Sequence, residues 1–241
     1  MLLEVFDSLR ILTPYSGMIR MLCAIVVGGL LGLDREKKGR AAGFRTYMLV
    51  CMGAALTMML GQYEYLLVTD LWANSSVQTV LKPDVSRFGA QVISGIGFLG
   101  AGTIITAHQK VKGVTTAAGL WAASCMGLAL GAGFFECMVV ALPLFFLCFR
   151  ILPLTEAYIS THSRDMNIYV EFDGMEHLDK IFTAVHLMDV HIYDVEIDHG
   201  QDNQQRLPSA VFIMRLNKKQ NHAELISKLS VISGIRLIDE I

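Results

Sequence analysis

Five stretches within the first 155 residues are long and apolar enough to cross a bilayer, and almost none carries a charge at its centre. They run from about Gly17 to Leu33, Thr46 to Leu60, Val85 to Ala107, Val114 to Leu130 and Phe134 to Leu154. A hydrocarbon layer takes roughly 20 apolar residues per helix. Lipid offers the backbone no hydrogen-bond partners, so these spans are expected as helices, not isolated strands. A hydrophobic share of 53%, a charged share of 17% and a mean hydropathy of +0.47 fit a membrane protein. Membrane lipid is the expected partner, and no nucleic-acid partner is expected.

The small net charge of −2 hides an asymmetry. Residues 1–164 hold 13 basic and 9 acidic side chains, whereas residues 165–241 hold 7 and 13. The tail is therefore read as a separate soluble domain. The expected division is a transmembrane region at 1–156, a linker at 157–164 and a cytoplasmic domain at 165–241. The cysteines at 23, 51, 125, 137 and 148 lie in or beside the spans without a pairing motif. They read as small packing residues. The first span ends at a basic run without a small-x-small cleavage site, so it is expected to be retained.

Basic residues in short loops set orientation. Five spans put Arg35, Lys37, Lys38, Arg40, Arg45, Lys110, Lys112, Arg150 and Arg164 on one side. Arg10, Arg20, Lys82 and Arg87 fall on the other. The expectation is an N-terminus outside and an acidic C-terminal domain in the cytoplasm. The loop from Gln62 to Asp84 then faces out, with Tyr63–Trp72 along the interface.

Helices in lipid meet through small residues that allow close approach. Stripes at four-residue spacing run through Ala24, Gly28 and Gly32, through Gly53, Thr57 and Gly61, and through Gly119, Ala123, Gly127 and Gly131. Each puts a flat face on one side of a helix. That face serves either bundle packing or a dimer contact. The third span differs, with Gly95, Gly97, Gly100 and Gly102 within eight positions and Gln91 and Ser94 just before them. Such a run marks a kink, a broken helix or very close helix contact. The polar pair reads either as an interhelical hydrogen bond or as a small ligand or ion site.

Three sequence blocks carry a family resemblance. Residues Gly28 to Glu36 read GGLLGLDRE, followed by Ala42-Gly43-Phe44-Arg45-Thr46. Residues Ala90 to Gly102 read AQVISGIGFLGAG, and Gly113 to Trp121 read GVTTAAGLW. In this order the blocks resemble the MgtC/SapB family of bacterial membrane proteins over about the first 150 residues. Asp34 stands where the family more often has Glu, and Phe44 where Leu is commoner. The resemblance implies an inner-membrane protein linked to growth in low magnesium and, in pathogens, to survival inside host cells. The residues themselves show no nucleophile–base pairing, phosphate loop or metal-ligand motif, so no enzyme and no cofactor are expected. Family members have often been described as magnesium transporters. The MgtC-type role looks regulatory, acting on partner membrane proteins including the ATP synthase.

With this topology the second and fourth spans both begin on the cytoplasmic side, with their positive helix ends facing it. Arg45-Thr46 opens one and Thr115-Thr116 the other, while Asp34, Arg35 and Glu36 close the first span. Threonine capping with an Asp34–Arg45 ion pair is one reading of this cluster. Docking of an acidic partner group or anionic lipid is the other. Transport needs oxygen ligands at membrane depth, and no carboxylate lies near a span centre. A magnesium or other ion transporter using the glycine-rich third span is the alternative to a regulator.

The tail alternates between strand and helix patterns. Strands are expected at Met166–Asp173, Val190–Asp198, Ser209–Leu216 and Gly234–Ile241, with helices at Glu176–Met188 and Ala223–Ser233 and a polar turn at Gly200–Arg206. The order βαββαβ suggests a ferredoxin-like fold and resembles the ACT-type regulatory module. Tyr193, Val195 and Ile197 are expected on one face of the second strand, against Asp194, Glu196 and Asp198. That acidic row is either a solvated face or a weak divalent-cation sensor. Asp173-Gly174 fits a small-effector site. Histidines 177, 186, 191, 199 and 222 show no ligand spacing. The fold class is thus an all-α bundle of five transmembrane helices with a small α+β ACT-like domain. The whole is expected to act as a homo-oligomer, with a dimer favoured.

Overall fold

The computed structural model describes residues 7–71, 84–107, 110–155, 163–186, 190–199, 207–217 and 222–240. The expected outer loop beyond Leu71, most of the linker and the turn at 200–206 lie outside them. The chain divides into two compact units: Met1–Thr106 with Val111–Phe149, and Ala107–Lys110 with Arg150–Ile241.

Among the described residues the long helices of the first unit are α1 Pro14–Lys37, α2 Phe44–Leu66, α3 Val85–Ala101, α4 Val114–Ala132 and α5 Phe135–Phe146. Thr13 opens α1 with a reciprocal cap to Ser16, and Pro14 occupies its first turn. Helices α2 and α5 each run into a single π-helical turn, at Leu67–Leu71 and Leu147–Ile151. Among the described residues four helical stretches are long and apolar enough to span a membrane: Pro14–Lys37, Phe44–Asp70, Val114–Ala132 and Phe135–Thr155.

The third expected span stops early. Helix α3 has 17 residues, which at ~1.5 Å per residue is about 25 Å, short of a full crossing. It ends at Ala101, not Ala107. Glycines lower helix propensity there, the Thr103 hydroxyl bonds back to Gly100 O at 2.8 Å, and the β-branched run Thr103 to Thr106 favours strand. A two-stranded ribbon follows, β1 Ile105–Ala107 with β2 Lys110–Lys112. The helix is nonetheless continuous through Gly95, Gly97 and Gly100, with no break in its interior.

Helix α1 shows how the unit is built. Met18, Leu22, Val26, Leu30 and Leu33 are exposed at helical spacing, while Ala24, Val27, Gly28, Leu31 and Gly32 are buried. The bulkier stripe faces lipid and the smaller one faces protein. Lipid gives no hydrophobic drive between helices, so the stabilising contacts are close van der Waals ones. A Cβ at Gly28 would sit 2.6 Å from Tyr47 O and 2.8 Å from Met48 Cα on α2. One at Gly32 would sit 2.7 Å from Phe44 Cα. On the other side of α2, a Cβ on Gly127 of α4 would collide with Cys51 O, and one on Gly131 would lie 2.8 Å from Ala55 Cα. Helix α2 is therefore gripped backbone to backbone by α1 and α4.

The Gly53 stripe behaves differently. A Cβ at Gly53 would meet nothing within 4 Å. Instead of sealing a helix contact, Gly53 opens a cleft toward α3, so its expected packing role does not hold in this unit.

The second unit forms β3 Asp165–Phe172, α6 Leu178–His186, β4 Val190–Asp198, β5 Ser209–Leu216, α7 His222–Ser230 and β6 Ile235–Glu240. Its sheet order is β4-β5-β3-β6, and every neighbouring pair is antiparallel. This is the ferredoxin-like βαββαβ arrangement. Its core joins Ile168, Val170 and Phe172 of β3, Phe212 and Met214 of β5, and Ile181, Val185, Leu225 and Leu229 of the two helices. Tyr193 and Phe182 depart from the residue pattern, which puts Tyr193 on one strand face with Val195 and Phe182 at helical spacing with Leu178, Ile181, Val185 and Met188. The register shifts between Ile192 and Asp194, so Ile192 and Val195 both pack on the core and Tyr193 turns outward at 57% exposure. Phe182 also lies largely outside the core.

The glycine contacts are asymmetric enough to test. Gly127→Ala is expected to destabilise by about 1–3 kcal/mol because its Cβ meets backbone. Gly53→Ala is expected to stabilise by about 0.5–1 kcal/mol. Thermal unfolding of the detergent-solubilised full chain measures both, and equal shifts would contradict the packing described.

Candidate functional site

Two arginines lie inside the helical unit, near opposite ends of α1. Arg20 is 0% exposed, and backbone carbonyls hold most of it. Its Nε donates to Leu9 O at 3.1 Å, and Nη2 donates to Leu9 O at 2.7 Å and Arg10 O at 2.8 Å. Its Nη1 donates to Gly131 O and to Gln62 Oε1, each at 2.7 Å. Gln62 in turn donates to Ala132 O at 3.2 Å. Gly131 and Ala132 close α4, and Leu9 and Arg10 end a short helical stretch. The cation therefore rests on two negative helix ends. Gly133, at φ 84°, lets the chain turn left-handed directly beside the guanidinium. The nearby carboxylates Asp7 and Glu136 pair with Arg10.

Arg20 was counted above as a loop charge. The signal that places it inside is its spacing: Ser16, Arg20, Ala24 and Gly28 recur every four residues on the buried face. A charge in that stripe needs an internal partner.

Arg35 sits at the other end of α1 and is 4% exposed. Its guanidinium lies 4.4 Å over the Phe149 ring, which stacks on Phe145 at 4.1 Å. Its closest carboxylate contact is long, 3.5 Å from Nη2 to Asp34 Oδ2. Asp34 is held more closely by Lys38, at 2.9 Å. The expected Asp34–Arg45 pair does not form; the i,i+4 lysine on the same helix is the nearer cation. Glu36 folds over the loop, and its Oε2 accepts from Phe44 N–H at 3.0 Å. A neighbouring carboxylate thus caps α2, in place of Thr46. Helix α4 starts at Gly113, φ 98°, without a side-chain cap, so neither Thr115 nor Thr116 caps it. Thr116 is buried, and its carbonyl accepts from the Tyr47 hydroxyl at 3.2 Å. Gly119 lies against the same hydroxyl and against Phe149. Arg45, Thr46 and Thr115 are exposed. Asp34, Arg35 and Glu36 are thus brought together with Lys38, Phe44 and Phe149.

The glycine-rich third helix is placed unexpectedly. Gln91 and Ser94 are exposed on its outer side, and among the described residues no interhelical hydrogen bond reaches them. A Cβ at Gly95 or Gly97 would meet nothing within 4 Å, and Phe98 is 85% exposed. Gly100 packs on Ala117 of α4, and Gly102 follows the last helical residue. Between α2, α3 and α4 lies a mainly apolar cleft of about 390 Å³, lined by Gly53, Thr57, Gly95, Ile96, Leu99 and Ser124 among others. Its two hydroxyls are already committed: Thr57 donates to Gly53 O and Ser124 to Trp121 O, each at 2.8 Å.

In the second unit Asp194, Glu196 and Asp198 are exposed along β4. Among the described residues no group of three His, Cys, Asp or Glu side chains could hold a metal ion. Asp173 receives Arg236 Nε at 2.6 Å, and this carboxylate holds the arginine above its ordinary pKa. His222, one of the histidines without ligand spacing, is buried between Glu240 at 2.6 Å and Ser163 O at 3.1 Å.

The model of the MgtC family matches residues 21–158, more than half of the chain and all of both α1's open end and the α2–α4 grip. The chain belongs to the MgtC family. It is 37% identical over 118 residues to YhiD of Escherichia coli (strain K12), covering 49% of this chain and 52% of that protein. It is 34% identical over 146 residues to MgtC of Salmonella typhimurium (strain LT2), covering 61% and 55%. An uncharacterized Haemophilus influenzae protein is 36% identical over 148 residues, covering 60% and 59%. The chain thus spans between about half and three fifths of the length of these MgtC-type relatives. Among solved structures, the ACT domain of a Chlorobium tepidum GTP pyrophosphokinase is similar at TM-score 0.28 and 11% identity, covering 33% of this chain and 99% of that one.

Replacing Arg20 with methionine is expected to leave the carbonyls of Leu9, Arg10 and Gly131 without their donor. Charged hydrogen bonds contribute about 1.5–3 kcal/mol each, so Arg20→Met should lower the melting temperature of the detergent-solubilised protein more than any exposed arginine variant. A melting temperature matching that of Arg45→Met would contradict the clamp.

Proposed function

We propose that this MgtC-family protein is a non-enzymatic regulatory protein of the bacterial inner membrane, acting in adaptation to low magnesium and, in a pathogen, in intracellular survival. It works by associating with itself, as a dimer, and with other membrane proteins such as the ATP synthase. Its N-terminus lies outside and its acidic domain in the cytoplasm, where that domain acts as an ACT-like sensor of a small effector. The family membership and the magnesium-related name of one relative support the link to magnesium. The basic-loop bias supports the orientation.

One observation carries the preference for association over transport. Arg20, Tyr47 and Ser124 within the bundle are turned to internal bonds, while Gln91 and Ser94 face outward from α3. A carboxamide both donates and accepts, so Gln91 can pair with its own copy across a two-fold axis. The open Gly95 and Gly97 beside it let a second helix approach closely.

Magnesium transport is the second reading, and the Escherichia coli relative carries the name "Putative magnesium transporter YhiD". The cleft beside Gly95 favours it, but no carboxylate lines that cleft, and hard cations require several oxygen ligands.

Two measurements on the full chain separate these readings. Ser94→Cys is expected to cross-link to its copy in native membranes, and magnesium entry into liposomes holding the pure protein is expected to match that of empty liposomes. Protein-dependent magnesium flux without cross-linking would reverse the assignment.

A further inference from the structure

The two buried arginines of α1 differ in one respect that bears on ligand binding. Arg20 has hydrogen bonds from all three of its nitrogens. Arg35 is almost as deeply buried, yet its Nε is sealed from solvent without any hydrogen-bond partner. Among the described residues its Nη2 has only the 3.5 Å contact to Asp34. Buried guanidinium donors are ordinarily satisfied, and a bare one points to a missing partner.

The unfilled atoms have a particular geometry. Nε–H and Nη2–H form one edge of the planar guanidinium, with two parallel donors that match two oxygens of a phosphate or carboxylate. The opposite needs of the site are already met. Phe149 covers the guanidinium face at 4.4 Å. The two neighbouring acids are committed elsewhere, Asp34 to Lys38 at 2.9 Å and Glu36 to the Phe44 amide at 3.0 Å. Lys37, Arg40 and Arg45 stand exposed on the same turn and loop. The local balance is therefore positive, at the end of a membrane helix where anionic headgroups lie.

We propose that the Nε–Nη2 edge of Arg35 binds a phosphate oxyanion, which replaces the long Asp34 contact while Lys38 keeps Asp34 paired. The phosphate comes either from an anionic phospholipid headgroup or from a free phosphate compound. The site rests on the membrane placement of α1 alone, so it stands whether the protein regulates or transports.

The test uses the full-length protein in a neutral detergent. Thermal stability is followed while phosphatidylglycerol, phosphatidylcholine or inorganic phosphate is added, for wild type, Arg35→Met, Arg35→Lys and Arg40→Met. Wild type and Arg40→Met are expected to be stabilised, with apparent affinity at least tenfold weaker in Arg35→Met. Arg35→Lys keeps the charge without the two-donor edge and is expected to fall between them. It also serves if the methionine variant does not fold. Stabilisation by phosphatidylglycerol alone identifies a headgroup site, and stabilisation by inorganic phosphate identifies a free-phosphate site. Equal responses from wild type and both Arg35 variants, or no response from any, would overturn the proposal.

Discussion

The close approach of α2 to its two neighbours governs the rest of the helical unit. Cβ atoms are missing where Gly28 and Gly32 meet α2 from one side and where Gly127 and Gly131 meet it from the other. In lipid this is where stabilisation is available, because dispersion contacts and satisfied polar groups replace the hydrophobic drive that assembles soluble cores. The consequence is a three-helix centre that is closely packed. Helix α3 is left at the margin, short, with its polar side chains turned outward.

Polar groups at the two ends of α1 serve opposite purposes. At one end five hydrogen bonds saturate Arg20 and tie α1 to α2, to the end of α4 and to the preceding chain. At the other end Arg35 is shielded by an aromatic pair and left with open donors. Saturation makes a lock, and incompleteness makes a receptor. The same residue type does both because burial alone does not decide the role; the supply of carbonyls does.

Much of this was legible from residue patterns. The apolar runs mark the helices, and the alternation in residues 165–216 marks the strands of the ferredoxin-like unit to within a residue or two. The glycine stripes of α1 and α4 read directly as contact faces because four-residue spacing maps to one side of a helix. Gly53 did not, since spacing alone cannot tell a filled face from an open one. The end of α3 was missed because apolar character continues through Ile104 and Ile105 after the helix has given way to a ribbon. The flipped face of β4 was hidden because a bulge leaves no mark in an alternating pattern. Near Arg35 the sequence grouped Asp34, Arg35 and Glu36 with Arg45, Thr46, Thr115 and Thr116, whereas the contacts run to Lys38, Phe44 and Phe149, because pairing among Asp34, Lys38 and Arg45 depends on the loop path.

The claim underlying this account is that the centre of the bundle is dry, with no aqueous path across it. Cys51 reports on it directly, being fully buried between the Gly28 and Gly127 contacts. A full-length chain with the other four cysteines replaced by alanine, reconstituted in sealed vesicles, can be exposed to a small charged thiol reagent on both sides. The account predicts that Cys51 stays unmodified until the vesicles are dissolved and the protein unfolded. Rapid modification in intact vesicles would reveal water at the centre and contradict it.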